Sequence, residues 1–295
     1  MKFDPFVMLT MAARETSRIQ LGTCTTNPVS RHIGVTARAI ATLNEVSNGR
    51  AVLGIARGEG SLRPLGMKPV SPRRLGDATV LLRRLLAGES VDSPDEQFRL
   101  SRAKLGYGVQ NKVSVYVAAT GPQMLRIAGG VADGVIISVG SNPHSIRHAV
   151  EEVRAGAKEA GRDPNSVRLL SFVFASISES HEQAVANSKP KALWFLLHAQ
   201  YLCNLLKIDD SLFKEEISEV GRNHTLSEIL SSRKDIANEV VTPEIVGAFT
   251  ISGTKSECAE KAKRIASEGV DQIVWSIREN WDYAAEAVAN SIMPA

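Results

Sequence analysis

Two short stretches hold residues whose types and spacing suit chemistry. In Ala51 to Gly66, AVLGIARGEGSLRPLG, the apolar residues Val52, Leu53, Ile55 and Ala56 lead straight into a glycine-rich turn carrying Arg57 and Glu59. A run with no polar alternation reads as a strand covered on both faces, as parallel strands are. Gly54, Gly58 and Gly60 let the backbone turn tightly and approach something closely. If the strand belongs to an α/β barrel, its C-terminal end faces the site, and Arg57 and Glu59 then point toward whatever is bound. A carboxylate there suits proton transfer and a guanidinium suits an anion. The competing reading is a surface ion pair on an exposed loop. In Val113 to Gln123, VSVYVAATGPQ, a strand ending at Ala119 meets Thr120, Gly121, Pro122 and Gln123, then a helix through Leu125, Ala128 and Gly129. Strand, glycine and helix N-terminus in succession present backbone N–H groups and the positive end of a helix dipole, which suits a phosphate. A plain tight turn has the same letters.

Other candidates are weaker. His144 and His148 stand at i, i+4 on an expected helix, a spacing that can ligate a metal, but the sequence nearby offers no third ligand, and two solvent-facing histidines are the simpler reading. No metal is expected. Trp194, His198 and Tyr201 share a helical face and suit either a pocket wall or core packing. Cys24, Cys203 and Cys258 are odd in number and widely spaced, which argues against a disulfide framework and a zinc site and for a reducing compartment. A net charge of +3, scattered basic residues and 5% aromatics exclude a nucleic-acid surface of clustered arginines and stacked rings. No apolar run reaches the roughly 18 residues of a membrane span, and the N-terminus lacks the segments of a secretory signal, so the expectation is a cytoplasmic protein.

The elements that must position these residues alternate. Asp4 and Pro5 cap an opening helix. A strand over 19–24 runs into TCTTNP, and a helix over 30–46 stops at Asn48-Gly49. The strand at Ala51 follows, then a helix through Leu75 to Leu86, and a loop or short hairpin over 90–112. After the strand at Val113 come a strand over 134–139, a helix capped by Asn142-Pro143 and a strand over 167–177. The stretch 178–247 is wholly helical in pattern, with Leu193, Leu196, Leu197, Tyr201 and Leu205 in one stripe that Phe213, Ile217 and Val220 continue; it reads as an inserted helical layer over the site or an oligomer face. A capping box at Thr254 and Glu257, a last strand over 272–277 and a helix from Trp281 close the chain. With 295 residues, 43% of them hydrophobic, the pattern fits one α/β domain.

Five blocks, in order, resemble the luciferase-like monooxygenase family, and specifically its deazaflavin-dependent branch around methylenetetrahydromethanopterin reductase. They are IQLGTCTTNPVSRH, NGRAVLGIARGEGSLRPLG, VAATGPQMLRIAGGVADGVI, EAGRDP and ISGTKSECAEKAKRIASEGVDQIV. The resemblance implies a TIM-type (β/α)8 barrel with a flavin or deazaflavin at its C-terminal face, usually as a homodimer. It implies that Cys24, Thr25 and Asn27 contact the ring, that Thr120, Gly121, Pro122 and Gln123 hold the phosphate, with Gly58 and Ala119 beside the cofactor, that Glu59 is a general acid or base, and that Arg57 steadies an anionic cofactor or substrate. It also implies a cis peptide between Cys24 and Thr25. Against eight family strands the sequence offers six, with no counterpart of the first two. The function expected is hydride transfer between coenzyme F420 and a small organic substrate, because ARGEGSLRPLG and TTNPVSRH resemble that branch most closely; the alternatives are an FMN-dependent monooxygenase using dioxygen and, motivated by the missing strands, a non-catalytic flavin-binding relative.

Overall fold

The computed structural model describes residues 3–106, 111–208, 228–230 and 234–292. By contact the chain divides into two units. The first comprises residues 1–119, 123–136 and 153–168, the second residues 120–122, 137–152 and 169–295.

The first unit opens with α1 (Pro5–Glu15), whose first-turn N–H groups are capped by Asp4. Strand β1 (Leu21–Gly22) is followed by α2 (Ile33–Val46), β2 (Ala51–Ile55), the single turn α3 (Glu59–Leu62) and α4 (Pro72–Leu86). A small antiparallel hairpin, β3 (Val91–Ser93) with β4 (Leu100–Ala103), precedes β5 (Ser114–Ala119). Strand β2 pairs in parallel with β1 on one side and β5 on the other, and β6 (Gly134–Ile137) lies beyond β5. Leu53, Ile55, Val115 and Val117 are completely buried, the continuous apolar strand core expected when helices cover a parallel sheet. The helix after β5 is α5 (Pro122–Val131). At the N-terminal ends of β5 and β6, Asp133 accepts hydrogen bonds from Arg83, Lys112 and the Val115 N–H, tying α4 and both strands together.

Three boundaries differ from the sequence pattern by more than one residue, the simplest being β6, which ends at Ile137 and not at 139. Pairing begins only at Leu21, so Ile19 is exposed and the strand is far shorter than 19–24. Helix α2 starts at Ile33 because the Asn27 side chain first takes the N–H groups of Val29 and Ser30.

Helix α6 (Pro143–Glu159), whose residues up to 152 belong to the second unit and the rest to the first, is opened by Asn142, whose side chain accepts from the His144 N–H. Strand β7 (Arg168–Ile177) leads to α7 (His181–His198) and α8 (Gln200–Leu205), and later come α9 (Lys234–Val240) and α10 (Pro243–Phe249). The expected capping box is present at the start of α11 (Lys255–Ala266), before β9 (Gln272–Ile277) and α12 (Trp281–Ala287). The six expected strands all form, and a seventh parallel strand, β8 (Thr250–Gly253), joins them between the helical stretch and β9. It pairs with Phe174–Ile177 of β7, whereas β9 pairs with Leu170–Ala175. Phe213, Ile217 and Val220 lie outside the described residues. Among the described residues no helix is long and apolar enough to cross a membrane, and no group of His, Cys, Asp or Glu could hold a metal ion.

Candidate active site

The C-terminal ends of β1 and β2 are held together by a bulge. Gly22 pairs with Val52 and Thr26 next pairs with Ile55, so four steps along β1 match three along β2 and one residue is pushed out. The Thr23 hydroxyl closes the gap by donating to the Gly54 carbonyl at 2.7 Å and accepting from the Gly54 N–H at 3.1 Å. Only glycine fits at 54, because a Cβ there would stand 2.0 Å from the Thr23 carbonyl oxygen. Cys24 and Thr25 form the crest, both exposed, and the peptide between them is cis as expected. The Cys24 thiol is open to solvent yet set among dense protein, and that partial desolvation raises its pKa.

Asn27 is 4% exposed, and its amide organises the loop. Its Oδ1 accepts from the Val29 and Ser30 N–H groups, and its Nδ2 donates to Ser61 Oγ at 3.1 Å. Ser61 belongs to α3, so this bond links the loop after β1 to the loop after β2. Gly58, at φ +100°, caps α3 in a conformation that favours glycine. Glu59 opens that turn with its side chain 63% exposed, 2.7 Å from Arg57 Nη1. Arg57 is itself fixed by donating Nε to the Val70 carbonyl at 2.7 Å. Ala119, at the end of β5, is buried.

The turn after β5 is the second candidate. Thr120, Gly121 and Pro122 are half-buried and Gln123 is exposed, at the start of the ten-residue helix α5. A Cβ built on Gly121 meets no atom within 4 Å, so the backbone there borders open space. The Tyr201 hydroxyl, in the second unit with the turn, donates to the Thr120 carbonyl. Of the other candidates, Trp194 is half-buried and His198 exposed, and they stack on each other with ring centroids 3.6 Å apart, so neither is a core residue. His198 Nδ1 lies 3.0 Å from the Trp194 carbonyl, which can only accept, so that nitrogen carries the proton. His144 is exposed and His148 half-buried.

Residues 1–272 match the family described as luciferase-like monooxygenase. The chain belongs to that family. Membership makes it an oxidoreductase of the flavin and deazaflavin kind. It is 31% identical to the 5,10-methylenetetrahydromethanopterin reductase of Methanolobus tindarius over 92% of this chain and 81% of that protein. Among solved structures it is similar to the coenzyme F420 dependent tetrahydromethanopterin reductase of Methanopyrus kandleri, with a TM-score of 0.83 and 24% identity over 99% of this chain and 87% of that one. It is also similar to an F420-dependent secondary alcohol dehydrogenase in complex with an F420-acetone adduct, with a TM-score of 0.75 and 18% identity over 100% of this chain and 86% of that one. The fold is therefore the TIM-type barrel fold of luciferase-like proteins.

One buried group has no signal in its neighbouring residues. Lys191, in the middle of α7, is fully buried, with Nζ 2.6 Å from Glu279 Oε2 and 3.1 Å from the Ala175 carbonyl. Burial pulls its pKa down, against the opposing pull of Glu279. Glu279 lies two residues past β9 and, with Asn187, Asn238, Lys234 and Arg278, lines a cavity of about 460 Å³.

Proposed function

We propose that this luciferase-like chain is a coenzyme F420-dependent oxidoreductase that moves a hydride between the deazaflavin and a small organic substrate. The observation that carries the reading is the 31% identity, over 92% of the chain, to a methylenetetrahydromethanopterin reductase. The residues present fit the cofactor. A phosphate needs N–H donors and an open approach, and the turn at Gly121 borders open space where a side chain would otherwise stand.

When bound, the deazaflavin supplies the hydride chemistry. The chain holds, orients and exchanges protons. Gly121 and Gln123 give N–H groups to the phosphate, Pro122 having none to give, and Thr120 adds a hydroxyl. Cys24 and Thr25, on the crest of the bulge, would offer the ring a surface, with Gly58 and Ala119 as further residues that would hold the cofactor. Asn27 keeps that crest in place through Ser61. Glu59 takes or gives the proton that accompanies hydride transfer, and Arg57 fixes its direction through the 2.7 Å contact. The reading includes a cytoplasmic homodimer; sedimentation reports the assembly.

Absorbance and fluorescence titration with F420 and, separately, FMN tests the reading. Saturable F420 binding with weaker FMN binding is expected. Preference for FMN would move the chain to the monooxygenase branch, and binding of neither would overturn the cofactor reading.

A further inference from the structure

Tyr201 sits in α8, just past the break at Ala199 where the helix α7 ends, with Leu202 and Cys203 buried beside it. Its hydroxyl donates to the carbonyl of Thr120, the residue before the open glycine of the turn. In a trans peptide the C=O and the following N–H point in opposite directions, and the Thr120–Gly121 bond is not among the cis bonds. Holding the Thr120 carbonyl toward Tyr201 therefore turns the Gly121 N–H the other way. We propose that Tyr201 is a positioning residue that aims the Gly121 N–H at the cofactor phosphate, so that a side chain from the helical layer sets affinity for the phosphorylated cofactor. The inference rests on the phosphate reading of the turn. Burial, with Glu152 close by, raises the phenol well above its ordinary pKa, so the hydroxyl keeps its proton and its role as donor throughout the physiological range. Without the hydroxyl the Thr120–Gly121 peptide loses that restraint on its carbonyl, and a donor aligned in advance becomes one that must be ordered further on binding.

The test measures two dissociation constants by fluorescence titration, for F420 and for the same deazaflavin ring on its ribityl chain without the phosphate, in the wild type and in Tyr201→Phe. The substitution removes one oxygen and keeps the ring that fills the site. The expected result is a roughly three- to tenfold loss of affinity for F420, the effect of one hydrogen bond, with affinity for the unphosphorylated form unchanged. That unchanged binding also shows that the variant is folded. Equal losses for both ligands would mark Tyr201 as merely structural, and no loss for either would remove its role; both overturn the proposal. A wild type that does not prefer the phosphorylated form would overturn the phosphate reading itself, and this inference with it. A wild type that prefers it, with a Tyr201→Phe variant that prefers it equally, sinks the role of Tyr201 alone.

Discussion

The contact between Gly54 and Thr23 offers a direct test of how the candidate site is held. In Gly54→Ala the new Cβ would stand 2.0 Å from the Thr23 carbonyl oxygen, which is backbone and cannot swing aside. Carbon and oxygen meet without strain at about 3.3 Å, so the bulge must open by about 1.3 Å. That displacement breaks the Thr23 Oγ1 bonds to the Gly54 carbonyl at 2.7 Å and from its N–H at 3.1 Å, and the Thr26 N–H bond to the same carbonyl at 3.0 Å. Three bonds at about 1 kcal/mol each, with about 1–3 kcal/mol for overpacking, give a loss of about 4–6 kcal/mol. That is a large part of the roughly 5–15 kcal/mol that holds an ordinary domain. At about 2 °C per kcal/mol the melting midpoint should fall by at least about 8 °C. Gly60→Ala is the control, since a Cβ there meets nothing within 4 Å; it should leave the midpoint unchanged or raise it slightly. Thermal unfolding followed by circular dichroism reads both variants. A Gly54→Ala protein melting within about 2 °C of the wild type, or a Gly60→Ala protein falling as far as Gly54→Ala, would refute the reasoning about the bulge.

Glu59→Gln should lower turnover by roughly 100-fold or more while the F420 dissociation constant stays the same, as steady-state kinetics beside a binding titration would reveal; full activity would reduce Glu59 to a surface ion pair. Gly121→Val should fold as stably as the wild type, because nothing crowds that position, yet bind F420 about tenfold more weakly; unchanged affinity would take the phosphate away from the turn. For Asp133, burial alone would raise the pKa, but hydrogen bonds from Lys112, the Val115 N–H and Arg83 outweigh it and hold the carboxyl below its ordinary 3.8. The folded state then binds the proton less readily than the unfolded state, so the stabilisation is complete above about pH 4 and is lost as pH falls through the lowered value. Asp133→Asn should lose about 2–4 kcal/mol at pH 7 and flatten that acid limb in urea titrations run at several pH values; a wild-type acid limb retained in the variant would assign it to other carboxylates.

What could be read from the sequence was what neighbouring residues decide. Asp4, Asn142 and the Thr254/Glu257 pair each cap a helix that starts beside them, and the apolar runs at Ala51, Val113 and Gly134 become buried parallel strands. What escaped depends on partners far along the chain. Strand β8 reads as polar because it contains Thr250 and Ser252, yet both are buried: Thr250 donates to the Val246 carbonyl, and Ser252 donates to Ser188, 64 residues away. Lys191 looks like the solvent side of an amphipathic helix until Glu279, 88 residues on, supplies the carboxylate that makes its burial tolerable. The candidate site divides along the same line. The turn at Gly121 is marked by the local order of strand, glycine and helix, whereas Cys24 and Thr25 are marked only by the resemblance of their segment to the family. That Asn27 turns inward to organise its loop was not legible, because the decisive partner, Ser61, arrives from the next strand–helix connection. Tyr201 is the same case: helical spacing placed it beside Trp194 and His198, but only the fold brings its hydroxyl to Thr120. A residue that aims the backbone of a site has no signature of its own in sequence, because its chemistry is expressed through a peptide that belongs to another element.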